Sequence, residues 1–117
     1  QFALVAEDLL TVCADWPHAP VRGEMREPVT AVIPTLLLSG NADPITPPHY
    51  ADTVAATLPQ SVHLVIPDYG HGMLTVGCVP DIVEAFISSG AVTGLDTSCL
   101  AEIQPPPFFV SLTGPRP

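Results

Sequence analysis

The chain has 117 residues, of which 47% are hydrophobic and only 13% charged. That apolar content excludes an intrinsically disordered chain and predicts a buried core, yet the longest apolar runs, Leu36–Leu38 and Val29–Ile33 interrupted by Thr30, fall far short of the roughly 20 residues of a membrane span. A formal net charge of −9, with no lysine and three arginines (Arg22, Arg26 and Arg116), excludes the basic footprint of nucleic-acid binding and argues against anionic membrane surfaces.

The length allows one domain at most. The chain starts with Gln1 rather than Met and runs at once into a helical pattern, with no basic segment, apolar stretch and small-residue cleavage site in signal-peptide order. It is therefore expected to be the C-terminal piece of something longer. Phe2, Val5, Leu9, Val12 and Cys13 recur at spacings of three and four, which predicts an amphipathic helix ending before Pro17. Residues 17–34, with prolines at 17, 20, 28 and 34, read as an extended loop.

Thr35–Ser39 is a short apolar run closed by Gly40. It lacks alternation, so it reads as a parallel strand buried on both faces. In the following NADPITPPHYADTVAATLP, Thr46 reads as an N-cap with Pro47 at the first helical position. Tyr50, Val54, Ala55 and Leu58 form the apolar stripe, and Pro59 stops the helix. Ser61–Ile66 has the β-branched character of a second strand, so the middle of the chain is a right-handed parallel crossover. Val79–Ser89 reads as another helix, with Pro80 in its first turn, an apolar stripe of Ile82, Val83, Phe86 and Ile87, and Gly90 as terminator. One helical turn near Ser98–Glu102 precedes Pro105–Pro107 and an extended tail, whose Phe108 and Phe109 need an apolar patch to cover.

The three cysteines, Cys13, Cys78 and Cys99, form no C-x-x-C pair, so a zinc knuckle or thioredoxin-type motif has no support. Three buried free thiols, or one pair and an odd thiol, both remain open on the count alone.

Two polar loops follow the two predicted parallel strands, one carrying Asp43 and the other His71 between Gly70 and Gly72. Functional groups in open α/β sheets collect just beyond the carboxyl ends of strands, so these two side chains are placed to meet. A carboxylate that accepts from one imidazole nitrogen fixes the tautomer and leaves the other nitrogen as general base toward a hydroxyl. Taken singly, an Asp-Pro turn that caps its own backbone and a solvated loop histidine account for the same residues.

The segment LLLSGNADPITPPHYADTVAATLPQSVHLVIPDYGHG resembles the end of α/β-hydrolase-fold enzymes. It is most similar to the C-terminal (TAP-like) region of the secreted tripeptidyl aminopeptidase and proline iminopeptidase group. The resemblance starts at Cys13-Ala14-Asp15-Trp16-Pro17. It continues through Gly77-Cys78-Val79-Pro80 and Gly94-Leu95-Asp96-Thr97-Ser98-Cys99-Leu100 to Pro106-Pro107-Phe108-Phe109, nearly the whole chain. Each motif alone is weak; five in the family's order are specific.

The resemblance implies an α/β fold: a C-terminal fragment of an α/β-hydrolase, with a parallel strand–helix–strand unit, flanking helices and an extended tail. Residues 1–117 then form one segment: a helix over 1–16, a loop over 17–34, a strand–helix–strand–helix unit over 35–90 bearing the Asp and His, and a disulfide-tethered tail over 91–117. It implies Asp43 as triad acid, His71 as triad base, a Cys78–Cys99 disulfide, and a Cys13 that pairs upstream. The nucleophile would sit in a G-x-S-x-G elbow upstream. None of Ser39, Ser61, Ser88, Ser89, Ser98 and Ser111 has those flanking glycines, so the serine and the oxyanion hole would come from a missing N-terminal part of the same hydrolase.

The implied activity is that of a secreted or periplasmic serine hydrolase, an exopeptidase acting on peptide N-termini, with no cofactor and with a peptide or ester as substrate. This chain alone is expected to be inactive. An esterase of the same fold and a non-catalytic, disulfide-stapled secreted interaction module are the competing readings. His49, which begins the helix after Pro48, and Tyr69, two positions before His71, are candidates to line the pocket. A solvated first-turn histidine and a packing tyrosine are their plainer readings. Trp16 reads as a packing residue and His63 as structural. A metal site from Asp43, His49, His71 and Cys78 has no ligand spacing to support it.

Overall fold

The computed structural model describes residues 2–17, 19–105 and 107. Helix α1 spans Phe2–Asp15. Strand β1 (Thr35–Gly40), helix α2 (Pro48–Ala55), strand β2 (Ser61–Ile66) and helix α3 (Val79–Ser89) follow. Short 3₁₀ turns lie at Gly23–Arg26, Met73–Thr75 and Ser98–Glu102. The turn at Gly23–Arg26 falls inside the expected loop over 17–34. Phe108 and Phe109 lie outside the described residues.

Strands β1 and β2 pair in parallel, from Thr35 opposite Ser61 to Gly40 opposite Ile66. Side chains alternate across a strand, so Leu37, Ser39, His63 and Val65 share one face, and Leu36, Leu38, Leu64 and Ile66 the other. Helix α2 lies against the first face, where its Asp52 reaches His63. The second face carries the core: Ile66, Met73 and Val79 are buried together, with Leu38, Tyr69, Val76, Val83, Leu100 and Ile103 packed around them. The sheet thus lies between α2 and the elements that follow β2. Leu36, Leu37 and Leu38 are only half-buried, where burial on both faces was expected, because the described residues place just one neighbouring strand beside β1.

Local chemistry sets the bounds of α3. Pro80 occupies the first turn, where its missing N–H costs no helical bond, and Gly90 closes the helix in the left-handed region at φ 63°. Ile82 is buried and Val83 half-buried, but Ile87 of the predicted stripe is exposed. Helix α2 departs further from its prediction. It ends at Ala55, short of Pro59, and Tyr50 and Val54 are exposed; only Leu58, just beyond it, is buried. Eight residues are two turns, too few to cover a sheet face.

Helix α1 is the largest departure from a packed unit. Every described side chain from Val5 to Asp15 is exposed, including the stripe of Val5, Leu9 and Val12, and Trp16, read as a packing residue, is 68% exposed. The radius of gyration, 19.2 Å, exceeds the ~13 Å of a compact chain of this length.

The Cys78–Cys99 disulfide closes a sequence separation of 21 and ties the 3₁₀ turn at Ser98–Glu102 to the start of α3, whose N-cap is Cys78. Cys13 is free and exposed. No described helix is long and apolar enough to cross a membrane.

Candidate active site

The two loops beyond β1 and β2 are laced together by their backbones. Asn41 N–H donates to Ile66 O and Ala42 N–H to Tyr69 O, which carries the parallel pairing past the ends of the strands. The Asn41 side chain accepts from Asp68 N–H at 2.8 Å. Gly40 makes this approach sterically feasible, since a Cβ there would lie 2.2 Å from the carbonyl oxygen of Tyr69. The same glycine closes the apolar run in the sequence, but its need comes from the neighbouring loop.

The lacing brings Asp43 and His71 together. Nδ1 of His71 lies 2.9 Å from Oδ2 of Asp43. Asp43 is 4% exposed, whereas the His71 side chain is 66% exposed. Burial opposes ionisation of Asp43. Hydrogen bonds from the Thr46 hydroxyl, the Ile45 N–H, the Thr46 N–H and His71 outweigh it and hold the carboxyl well below the usual carboxylate range. The carboxylate is an obligate acceptor, so Nδ1 donates in this contact and Nε2 lies outside it.

Oδ1 of Asp43 accepts from Ile45 N–H at 2.8 Å and from Thr46 N–H at 3.1 Å. The Thr46 hydroxyl donates to Oδ2 at 2.8 Å. Thr46 is therefore not the cap of α2: Pro47 holds the N-cap position without a side-chain bond, and the helix starts at Pro48. Asp43 competes for the threonine because it is a buried carboxylate that needs donors.

A cleft of ≈ 310 Å³ opens on the pair, lined by Leu38, Asp43, Thr46, His71, Gly72, Met73 and Leu74. Gly72 follows the histidine at φ 86°, a left-handed conformation that turns the chain straight into the buried Met73. The two candidate pocket residues lie elsewhere. Tyr69 packs against the core, donates from its hydroxyl to Gln104 O at 3.3 Å, and lines a separate cleft beside the disulfide. His49 is exposed, its ring edge-on to Tyr50 with centroids 4.5 Å apart. Cys78 is bound in the disulfide, and among the described residues no three His, Cys, Asp or Glu side chains converge as metal ligands.

Sequence reading missed a second polar series. His63 Nδ1 is 2.8 Å from Asp52 Oδ1, and its Nε2 is 2.9 Å from Ser39 Oγ. The order carboxylate–imidazole–hydroxyl resembles a catalytic triad, but Ser39 is 5% exposed and lies within a parallel strand, not on the sharp turn that presents a nucleophile. This imidazole fastens β1, β2 and α2 to one another. The signal was in the register: two positions of one face, Ser39 and His63, lie on adjacent strands beneath the helix that carries Asp52.

A buried carboxylate oriented on an exposed imidazole, both just beyond the carboxyl ends of adjacent parallel strands, has the placement of functional groups in α/β proteins. The chain belongs to the TAP-like protein family of α/β-hydrolases, whose family model matches residues 3–99. No curated protein and no solved structure matches it.

Proposed function

We propose that the chain is the C-terminal part of a secreted serine hydrolase, an exopeptidase that removes residues from peptide N-termini, and that it supplies the triad acid Asp43 and base His71. The observation that carries this reading is the 2.9 Å contact of Asp43 with Nδ1 of a His71 side chain that is 66% exposed, which keeps Nε2 out of that contact. A serine from the preceding part of the polypeptide would give its proton to Nε2 as its oxygen attacks the scissile carbonyl. His71, now an imidazolium held by Asp43, returns that proton to the leaving amine as the C–N bond breaks. Water then repeats the sequence on the acyl-enzyme and releases the free acid. The oxyanion-hole donors would come from the same missing part. The Cys78–Cys99 disulfide supports an oxidising compartment.

The test is His71→Ala in the full-length hydrolase, assayed on N-terminal peptide and simple ester substrates. Turnover should fall by several orders of magnitude, with substrate affinity much less affected. A serine-directed phosphonate should label the full-length protein but not the 117-residue chain. Unchanged turnover in the variant, or stoichiometric labelling of the chain alone, overturns the assignment. Ester turnover without peptide turnover moves it to an esterase of the same fold.

A further inference from the structure

The Thr46 hydroxyl touches both members of the pair. It donates to Asp43 Oδ2 at 2.8 Å, and its oxygen lies 3.2 Å from Nδ1 of His71. Its single hydrogen is thus committed to the carboxylate, and its lone pairs face the ring nitrogen. Nδ1 accordingly meets two oxygens, Asp43 Oδ2 and Thr46 Oγ1, on the same side of the imidazole.

This arrangement selects a tautomer. With hydrogen on Nδ1, one N–H serves two acceptors while the hydroxyl still donates to the carboxylate. With hydrogen on Nε2, the Nδ1 lone pair would face two oxygens, and relief would need the hydroxyl to turn its hydrogen from Asp43 to the ring. That would strip a donor from a carboxylate that is buried and ionised. Only the first state satisfies all three groups.

We propose that Thr46 is a positioning residue of the Asp43–His71 pair: its hydroxyl holds the carboxylate oxygen that His71 uses and locks the imidazole with Nδ1 protonated and Nε2 open. This rests on the reading of the pair as acid and base, and it adds a third side chain to that reading. When Nε2 takes a proton, the ring charge strengthens the Nδ1–H donor, and two acceptors are already in place to receive it. The main-chain N–H of Thr46 independently holds Oδ1, so loss of the hydroxyl alone leaves the loop anchored. The threonine is itself exposed, so its replacement opens no cavity in the core.

The experiment compares Thr46→Val, Thr46→Ser and His71→Ala in the full-length hydrolase, and reads the imidazole 15N shifts of His71 in the unaltered protein. Thr46→Val, which keeps the shape and loses the hydroxyl, should lower kcat about tenfold with KM unchanged. Thr46→Ser should restore kcat to within about twofold. The 15N shifts should show hydrogen on Nδ1 above the histidine titration. Full kcat in Thr46→Val, beside an inactive His71→Ala, overturns the role of Thr46 and leaves the acid–base pair standing. Hydrogen found on Nε2 overturns it even where the valine variant does not fold. An active His71→Ala removes the acid–base reading and, with it, the positioning role of Thr46.

Discussion

Nδ1 of His71 and Oδ2 of Asp43 lie 2.9 Å apart although 28 residues separate them in the chain. The contact exists because β1 and β2 are parallel neighbours in register, so the loops leaving their carboxyl ends emerge side by side. Main-chain bonds from Asn41 to the end of β2 and from Ala42 into the second loop hold that geometry independently of the two side chains.

Asp43 makes stability depend on acid. Its carboxyl is held well below the usual range because hydrogen bonds to the ionised form outweigh its burial. Asp96 is lowered as well, by the Ser98 hydroxyl and N–H. A folded-state pKa below the unfolded value gives stabilisation that is complete above the ordinary carboxylate pKa of about 3.9 and is lost as pH falls from there through the depressed folded value. Denaturant unfolding of the chain should show stability declining below about pH 4, with a shallower decline in Asp43→Asn. Identical acid slopes in the two proteins would contradict the depressed carboxyl.

The disulfide should carry a measurable share of stability. Closing the 21-residue separation between Cys78 and Cys99 is worth about 3 kcal/mol in the chain-entropy model. Alkylation without reductant, followed by mass spectrometry, should find one modified cysteine, Cys13. Reduction should lower the unfolding midpoint and free the turn at Ser98–Glu102 to exchange its amide hydrogens. Three modified cysteines before reduction would contradict the bridge.

The Ser39–His63–Asp52 series should behave as a brace. His63→Leu leaves the buried Ser39 hydroxyl without its imidazole partner, which is expected to cost about 1–3 kcal/mol. The double variant Ser39→Ala/His63→Leu should recover part of that loss, because both polar ends are then gone. A double variant as unstable as the sum of the two single variants would show that the hydroxyl and the ring are not coupled.

The chain should associate with itself. Strand β1 pairs on one side only among the described residues, and Leu36–Leu38 are half-buried beside that open edge. Val5, Leu9 and Val12 of α1 are exposed as well. Open strand edges and contiguous apolar surface are templates for association. Sedimentation at several concentrations should show a rising mean mass. A monodisperse monomer whose melting is independent of concentration would count against this and would favour a self-sufficient module.

What the residues determined alone is local. Strand Ser61–Ile66 and helix Val79–Ser89 have the bounds read from the sequence, because β-branched runs, Pro80 in a first turn and Gly90 in a left-handed cap act over a few residues. Asp43 and His71 were legible as loop residues after consecutive strands, and the ordered motifs from Cys13 to Cys99 pointed to the family whose model matches residues 3–99. Tertiary structure decided what each polar side chain does with its hydrogen bonds. Thr46 looks like a helix cap in one dimension and serves a buried carboxylate in three, since a hydroxyl bonds to whichever strong acceptor packing leaves short of donors. Tyr69 and His71 are two residues apart, yet one faces the disulfide cleft and the other the Asp43 cleft. The apolar stripe of α1 was read correctly as a stripe, but periodicity specifies only a face. Whether that face is covered depends on which elements fold against it, and every described side chain from Val5 to Asp15 is exposed.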